Sequence, residues 1–235
     1  MSVSASSLSP GIVFIGDSIT DCGRTYPTVS EFGQGYAAKC ISALREAHPD
    51  WRFYNRGIAG QCIGQIYDRW QADCLDLQPS LVSFLAGVND VDYSYRHENH
   101  SFDQPLLARQ LEEMFASVRA AGARLVVLEP YAFDGELYKN AYAPRLTWLR
   151  QTTRGLAARY ADLFLVPDLR PEDTLDGIHP TPDGHTRLAR QWLGETGERW
   201  GERGERWGDG FSEKSLSPDP SRKALARTGQ NLCKA

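Results

Sequence analysis

The sequence predicts an α/β fold, a parallel sheet of five strands with helices on both faces. Three observations carry this. Short apolar runs bounded by Gly or Pro recur along residues 11–166. Between them lie longer segments whose apolar residues repeat at three- and four-residue spacing. The two kinds alternate, and strand–helix–strand units close into a parallel sheet through right-handed crossovers.

Gly11 to Ile15 is a continuous apolar run between Pro10 and Gly16, which suits a strand buried on both faces. In residues 33–47, Tyr36, Ala37, Cys40, Ile41 and Leu44 share one helical face, and Pro49 ends the helix. Trp51 to Asn55 supplies the second strand. Over 63–75 the apolar face is Ile63, Ile66, Tyr67, Trp70 and Cys74, which reads as one helix. Leu81 to Ala86 is the third strand, stopped by Gly87. Residues 91–102, with Asp92, Tyr93, Tyr95, Arg96 and His97, read as a polar loop. Residues 104–121 form a helix with Leu107, Leu111, Met114, Phe115 and Val118 in register. Arg124 to Leu128 is the fourth strand. A helix over 144–161 leads to the fifth, Leu163 to Val166. Thr181 opens a last helix through Leu188, Ala189 and Trp192.

Composition fits this picture. At 235 residues, with 41% hydrophobic and 24% charged, the chain is globular and long enough for one large domain or a medium domain with an appendage. A net charge of −4 argues against a dedicated nucleic-acid binder. Residues 201–235 hold seven Lys/Arg against five Asp/Glu, which leaves −6 on the first 200. Gly197 to Gly208 is a low-complexity repeat of Gly, Glu, Arg and Trp. The expected organisation is an N-terminal extension at 1–10, one domain at 11–195 and a disordered tail at 196–235. The first ten residues lack the basic start and apolar core of a signal peptide, and no run nears a membrane span. Cys22, Cys40, Cys62, Cys74 and Cys233 form no C-x-x-C pair. The expectation is a reduced, cytoplasmic chain with no membrane partner, no metal and no cofactor; a homo-oligomer is left open. Asn99-His100-Ser101 matches a glycosylation sequon, which reads as chance without secretion.

Four polar signals fall where strands end. They are Gly16-Asp17-Ser18, then Asn55 through Gly60, then Gly87-Val88-Asn89-Asp90, then Asp176-Gly177-Ile178-His179-Pro180. In open parallel sheets, ligands bind outside the carboxyl ends of the strands. Acyl transfer needs a hydroxyl nucleophile, a base, a group that orients the base, and donors aimed at the oxyanion. Ser18 supplies the hydroxyl, His179 the base and Asp176 the orienting carboxylate. The Asn89 amide and the backbone N–H groups of Ser18 and Gly60 are the candidate oxyanion donors.

This set resembles the SGNH hydrolases, the GDSL-type esterases and lipases. Their blocks map here as Gly16-Asp17-Ser18-Ile19, Gly60, Gly87-Val88-Asn89-Asp90 and Asp176-Gly177-Ile178-His179, over residues 11–193. The resemblance implies a flavodoxin-like three-layer α/β/α sandwich. It also implies Ser18, Gly60, Asn89 and His179 as the name-giving residues, with Asp176 completing the triad. Gly57 stands in the same block as Gly60; Gly60 is preferred because the polar Gln61 follows it. Phe14 through Arg24 and Asp176 through Trp192 look more loosely like a subgroup that includes bacterial acetylxylan esterases. That likeness implies a small-molecule ester substrate, with short acyl groups on a sugar. The rival readings are a thioesterase or lysophospholipase using the same site, and a non-catalytic binder of acylated sugars.

Other signals are set aside. Gly33-Gln34-Gly35-Tyr36-Ala37-Ala38 fits a dinucleotide fingerprint but follows no strand. The chain lacks the second glycine of a G-x-S-x-G elbow. Asp176, His179, Asp183 and His185 form a weak metal candidate, and His185 is better read as a structural or surface residue at the start of the last helix. Asp17, Asp21, Arg24 and Asp90 are read first as loop-bonding groups. Asp17, Tyr93, Tyr95 and Tyr131 are carried as candidate substrate contacts.

Overall fold

The computed structural model describes residues 9–25, 31–96, 101–133 and 142–201. Residues 1–8 of the expected extension at 1–10, the sequon at Asn99 and residues 202–235 of the expected tail at 196–235 lie outside the described residues; residues 196–201 continue the last helix. Five strands form one sheet: β1 (Gly11–Gly16), β2 (Arg52–Gly57), β3 (Leu81–Leu85), β4 (Arg124–Leu128) and β5 (Leu163–Leu165). Their order is β2-β1-β3-β4-β5, and every pair is parallel. This is the flavodoxin order, with its switch point between β1 and β3. The central strands β1 and β3 are buried at every residue, whereas the edge strand β2 alternates. That difference explains why β1 reads as an unbroken apolar run and β2 does not.

Helices cover both faces. They are α1 (Ser18–Asp21), α2 (Tyr36–Ala47), α3 (Ile63–Asp68), α4 (Trp70–Asp73), α5 (Val88–Arg96), α6 (Gln104–Ala120), α7 (Tyr142–Tyr160) and α8 (Pro182–Gly201). Neighbouring residues of β3 show the two layers, because successive side chains point to opposite faces. Ser83 accepts a hydrogen bond from the Trp192 indole of α8 at 3.0 Å. The Trp192 ring packs on Phe14 of β1, 5.0 Å between centroids. Phe84 turns the other way, against Trp70 of α4 and Phe115 of α6. On the first face α2 packs against α8; on the second α6 packs against α3 and α7.

Three local features depart from the sequence reading. Residues 63–75 are not one helix. The chain breaks at Arg69 (φ −102°, ψ 3°) into α3 and α4, followed by a 3-10 turn at Leu75–Leu77. The residues read as a loop from 91 continue instead as α5, up to Arg96. Its apolar face is short, with only Val88, Asp90 and Val91 buried, so it shows little periodicity. Ser18 opens a one-turn helix, α1, because the Asp17 carboxylate accepts the Ile19 N–H at 3.1 Å and caps it. Among the described residues, no helix is long and apolar enough to cross a membrane.

Candidate active site

The strand ends place the four polar signals together. Ser18 follows β1 directly and is buried. His179 lies in the turn before α8, 161 positions away, and its Nε2 sits 3.0 Å from the Ser18 Oγ. The other ring nitrogen, Nδ1, is 2.8 Å from the Asp176 Oδ2. A carboxylate only accepts, so Nδ1 carries the proton and Nε2 offers its lone pair to the serine hydroxyl.

The turn from Asp176 to His179 is built by its own polar groups. The Asp176 Oδ1 accepts the Ile178 and His179 amides at 3.1 and 2.8 Å. The Thr174 hydroxyl accepts the Gly177 amide, and the Phe133 amide donates to the Gly177 carbonyl. Burial alone would raise the Asp176 pKa. The His179 ring, its backbone N–H and the Ile178 N–H outweigh it and hold the carboxyl well below the usual range.

The β2–α3 loop, Ile58 to Cys62, meets the end of β1, where the Ile58 amide donates to the Gly16 carbonyl at 3.1 Å. The Gly57 amide donates to the Asn55 Oδ1 at 2.8 Å, so it is already occupied. Gly57 is needed there for another reason: a Cβ would lie 2.2 Å from the Asp21 nitrogen of α1. The Gly60 amide pairs with no protein acceptor among the described residues. Gly60 adopts φ +76°, a conformation that favours glycine, and a Cβ there would lie 3.0 Å from the Tyr93 hydroxyl. The Ser18 N–H is the first amide of α1 and has no acceptor within that helix.

Helix α5 braces this loop. The Asn89 Nδ2 donates to the Gln61 carbonyl at 3.0 Å, which leaves its second N–H for a ligand. The Asp90 Oδ2 accepts the Ile63 amide at the start of α3. Tyr93 stands one turn after Asn89 and puts its hydroxyl beside Gly60. From the other side, the Asp21 Oδ2 accepts the Ala59 amide at 2.9 Å, and the Arg24 Nε donates to the Gly57 carbonyl. Asp21, Arg24 and Asp90 thus bond loop groups, as their types suggested.

The candidate substrate contacts divide. Tyr95 is exposed and Tyr93 is partly buried. Asp17 is wholly buried, and Tyr131 is as buried as Ser18. Among the described residues, the Asp17 Oδ2 and the Tyr131 hydroxyl have no hydrogen-bond partner. Burial lifts the Asp17 carboxyl to about 6, against the Ile19 amide and the His179 charge. Burial likewise lifts Asp90 to about 7, against the Ile63 amide. His185 is buried and tied into the core. Its Nδ1 accepts the Tyr36 amide at 3.1 Å, and its Nε2 lies 3.3 Å from the Cys22 Sγ. Among the described residues, no three His, Cys, Asp or Glu side chains are placed to hold a metal ion.

Sequence reasoning missed Arg69. Its guanidinium reaches the Gln61 side chain and the carbonyls of Gly16 and Arg56. No motif marks it, because a lone Arg on a helix usually faces water.

Comparison with known proteins gives a consistent result. The model of the GDSL-like lipase/acylhydrolase family matches residues 14–187. An acetylxylan esterase of Geobacillus stearothermophilus is 28% identical over 212 residues, covering 80% of this chain and 94% of that protein. The structure of an α/β hydrolase enzyme from the metagenome of Lake Arreo, Spain, is 26% identical with a TM-score of 0.70, over 80% of this chain and 95% of that one. A catalytic mutant of the Geobacillus stearothermophilus acetylxylan esterase is 25% identical with a TM-score of 0.70, over 80% and 94%. The chain belongs to the GDSL-like lipase/acylhydrolase family, and with it to the serine hydrolases that cleave ester bonds.

Proposed function

We propose that this chain is a serine esterase that removes small acyl groups, acetyl foremost, from carbohydrate hydroxyls through an acyl-enzyme. The observation that carries the reading is the unbroken relay from Ser18 Oγ to His179 Nε2 at 3.0 Å and from His179 Nδ1 to Asp176 Oδ2 at 2.8 Å. The acetylxylan esterase relative supports the choice of acyl group and of sugar.

In this mechanism His179 takes the Ser18 proton as the oxygen attacks the ester carbonyl. Asp176 stabilises the imidazolium and does not itself take the proton. The N–H groups of Ser18, Gly60 and Asn89 receive the oxyanion. His179 then protonates the departing sugar oxygen, leaving the acyl group on Ser18. A water molecule, deprotonated by the same histidine, attacks the acyl carbon. Collapse of the second intermediate returns the proton to Ser18 and releases the acid. Tyr93, beside Gly60, and exposed Tyr95 are the substrate contacts. The working domain is residues 11–195, and a chain cut after Trp200 retains activity.

Ser18→Ala should abolish turnover of p-nitrophenyl acetate and labelling by a fluorophosphonate. Activity retained in the purified variant would defeat the proposal. Rates on acetylated xylo-oligosaccharide, acyl-CoA and lysophospholipid then test the substrate. Preference for either of the latter two would replace the sugar-ester reading with a thioesterase or lysophospholipase.

A further inference from the structure

We infer that Arg69 is a positioning residue for hydrolysis, setting the distance between the nucleophile turn and the oxyanion loop; this rests on the proposed roles of Ser18, Gly60 and Asn89. Arg69 sits at the break between α3 and α4, where it caps one helix and opens the next. Its side chain is only 14% exposed. Nε donates to the Gln61 Oε1 at 2.6 Å. One terminal nitrogen donates to the Arg56 carbonyl at 2.8 Å and to the Asp73 carboxylate at 3.0 Å. The other donates to the Gly16 carbonyl at 3.2 Å.

These acceptors are not a random set. Gly16 ends β1, two residues before Ser18, and Arg56 lies at the end of β2. Gln61 follows Gly60, and its carbonyl is the group that holds Asn89. One planar guanidinium therefore fixes, relative to each other, the segments carrying the Ser18 amide, the Gly60 amide and the Asn89 side chain. Oxyanion donors act only when aimed at the place where charge develops, and small misplacements are costly. Asp73 balances the buried charge, so the group is held in one orientation.

A lysine cannot replace this fork. Its single nitrogen reaches one or two of these acceptors and leaves the others without a donor. The test uses the full-length chain and p-nitrophenyl acetate. Arg69→Lys should lower kcat on the order of 10- to 100-fold with KM little changed. The readout that separates positioning from plain structural support is a double-mutant cycle with Asn89→Ala. If Arg69 acts by aiming the oxyanion donors, Arg69→Lys should cost clearly less in the Asn89→Ala background than in the parent. Equal losses in both backgrounds, or an unchanged kcat, would overturn the inference. If Arg69→Lys does not fold, Gln61→Leu removes one arm of the clamp and must show the same coupling. An Asn89→Ala variant with full kcat would overturn the oxyanion reading itself, and this inference with it.

Discussion

Replacing Asp17 by Asn should stabilise the protein at neutral pH and change nothing in acid. Asp17 is wholly buried, with Oδ1 on the Ile19 amide and Oδ2 without a partner among the described residues. Burial carries its pKa from 3.8 to about 6, although the Ile19 amide and the His179 charge pull it down. A carboxyl with a raised folded pKa holds a proton in the folded state that the unfolded chain has already released. Stability therefore falls as pH rises from about 4 to about 6, and above that window the full cost stands. A rise of about two units corresponds to about 3 kcal/mol. Asn has the same shape, still accepts the Ile19 amide, and does not ionise. Losing the Asp17 charge also eases ionisation of Asp90, which adds in the same direction. Urea unfolding of the two proteins should coincide at about pH 4 and differ by about 3 kcal/mol at about pH 7.5, with the variant the more stable. A pH-independent difference, or a less stable variant at neutral pH, would refute the argument.

Other outcomes are expected. Gly60→Ala forces a left-handed conformation, costing about 1–2 kcal/mol, and its methyl meets the Tyr93 hydroxyl; kcat should fall, and Tyr93→Phe in the same chain should recover part of it. No recovery in steady-state kinetics would mean the hydroxyl is not the obstacle. Asp176 has a depressed pKa, so its charge is present above the unfolded value near 4 and is lost only as pH falls well below it. The pH profile of kcat/KM should therefore show an acid limb from the histidine and none from Asp176 above about pH 4. Ser83→Ala removes the acceptor of the Trp192 indole and should cost about 1–3 kcal/mol in urea unfolding without altering KM.

The strands were legible because β1, β3 and β4 are short, nearly continuous apolar runs, as burial on both faces requires. α5 was not legible: its sequence, Val-Asn-Asp-Val-Asp-Tyr-Ser-Tyr-Arg, buries only three residues and looks like a loop. The triad candidates were legible because strand ends give an address and the three-residue spacing of Asp176 and His179 fits one turn. Gly57 and Gly60 look alike in the chain; they differ in what their amides meet, and for Gly57 that is the Asn55 side chain two residues back. Arg69 was invisible for a related reason. Two of its four acceptors are backbone carbonyls, and every residue has one.

The separation of 161 positions between Ser18 and His179 bears on how the enzyme comes into being. A chain leaving the ribosome exposes Ser18, the proposed nucleophile, early and His179, the proposed base, late, since domains form as their residues emerge. Until α8 closes on α2, with Trp192 over Phe14, the nascent protein carries a serine with no histidine beside it. On the proposed mechanism, hydrolysis is thus a signal of completed assembly. In refolding, recovered turnover should lag behind the secondary structure of the sheet and keep time with the docking of the last helix.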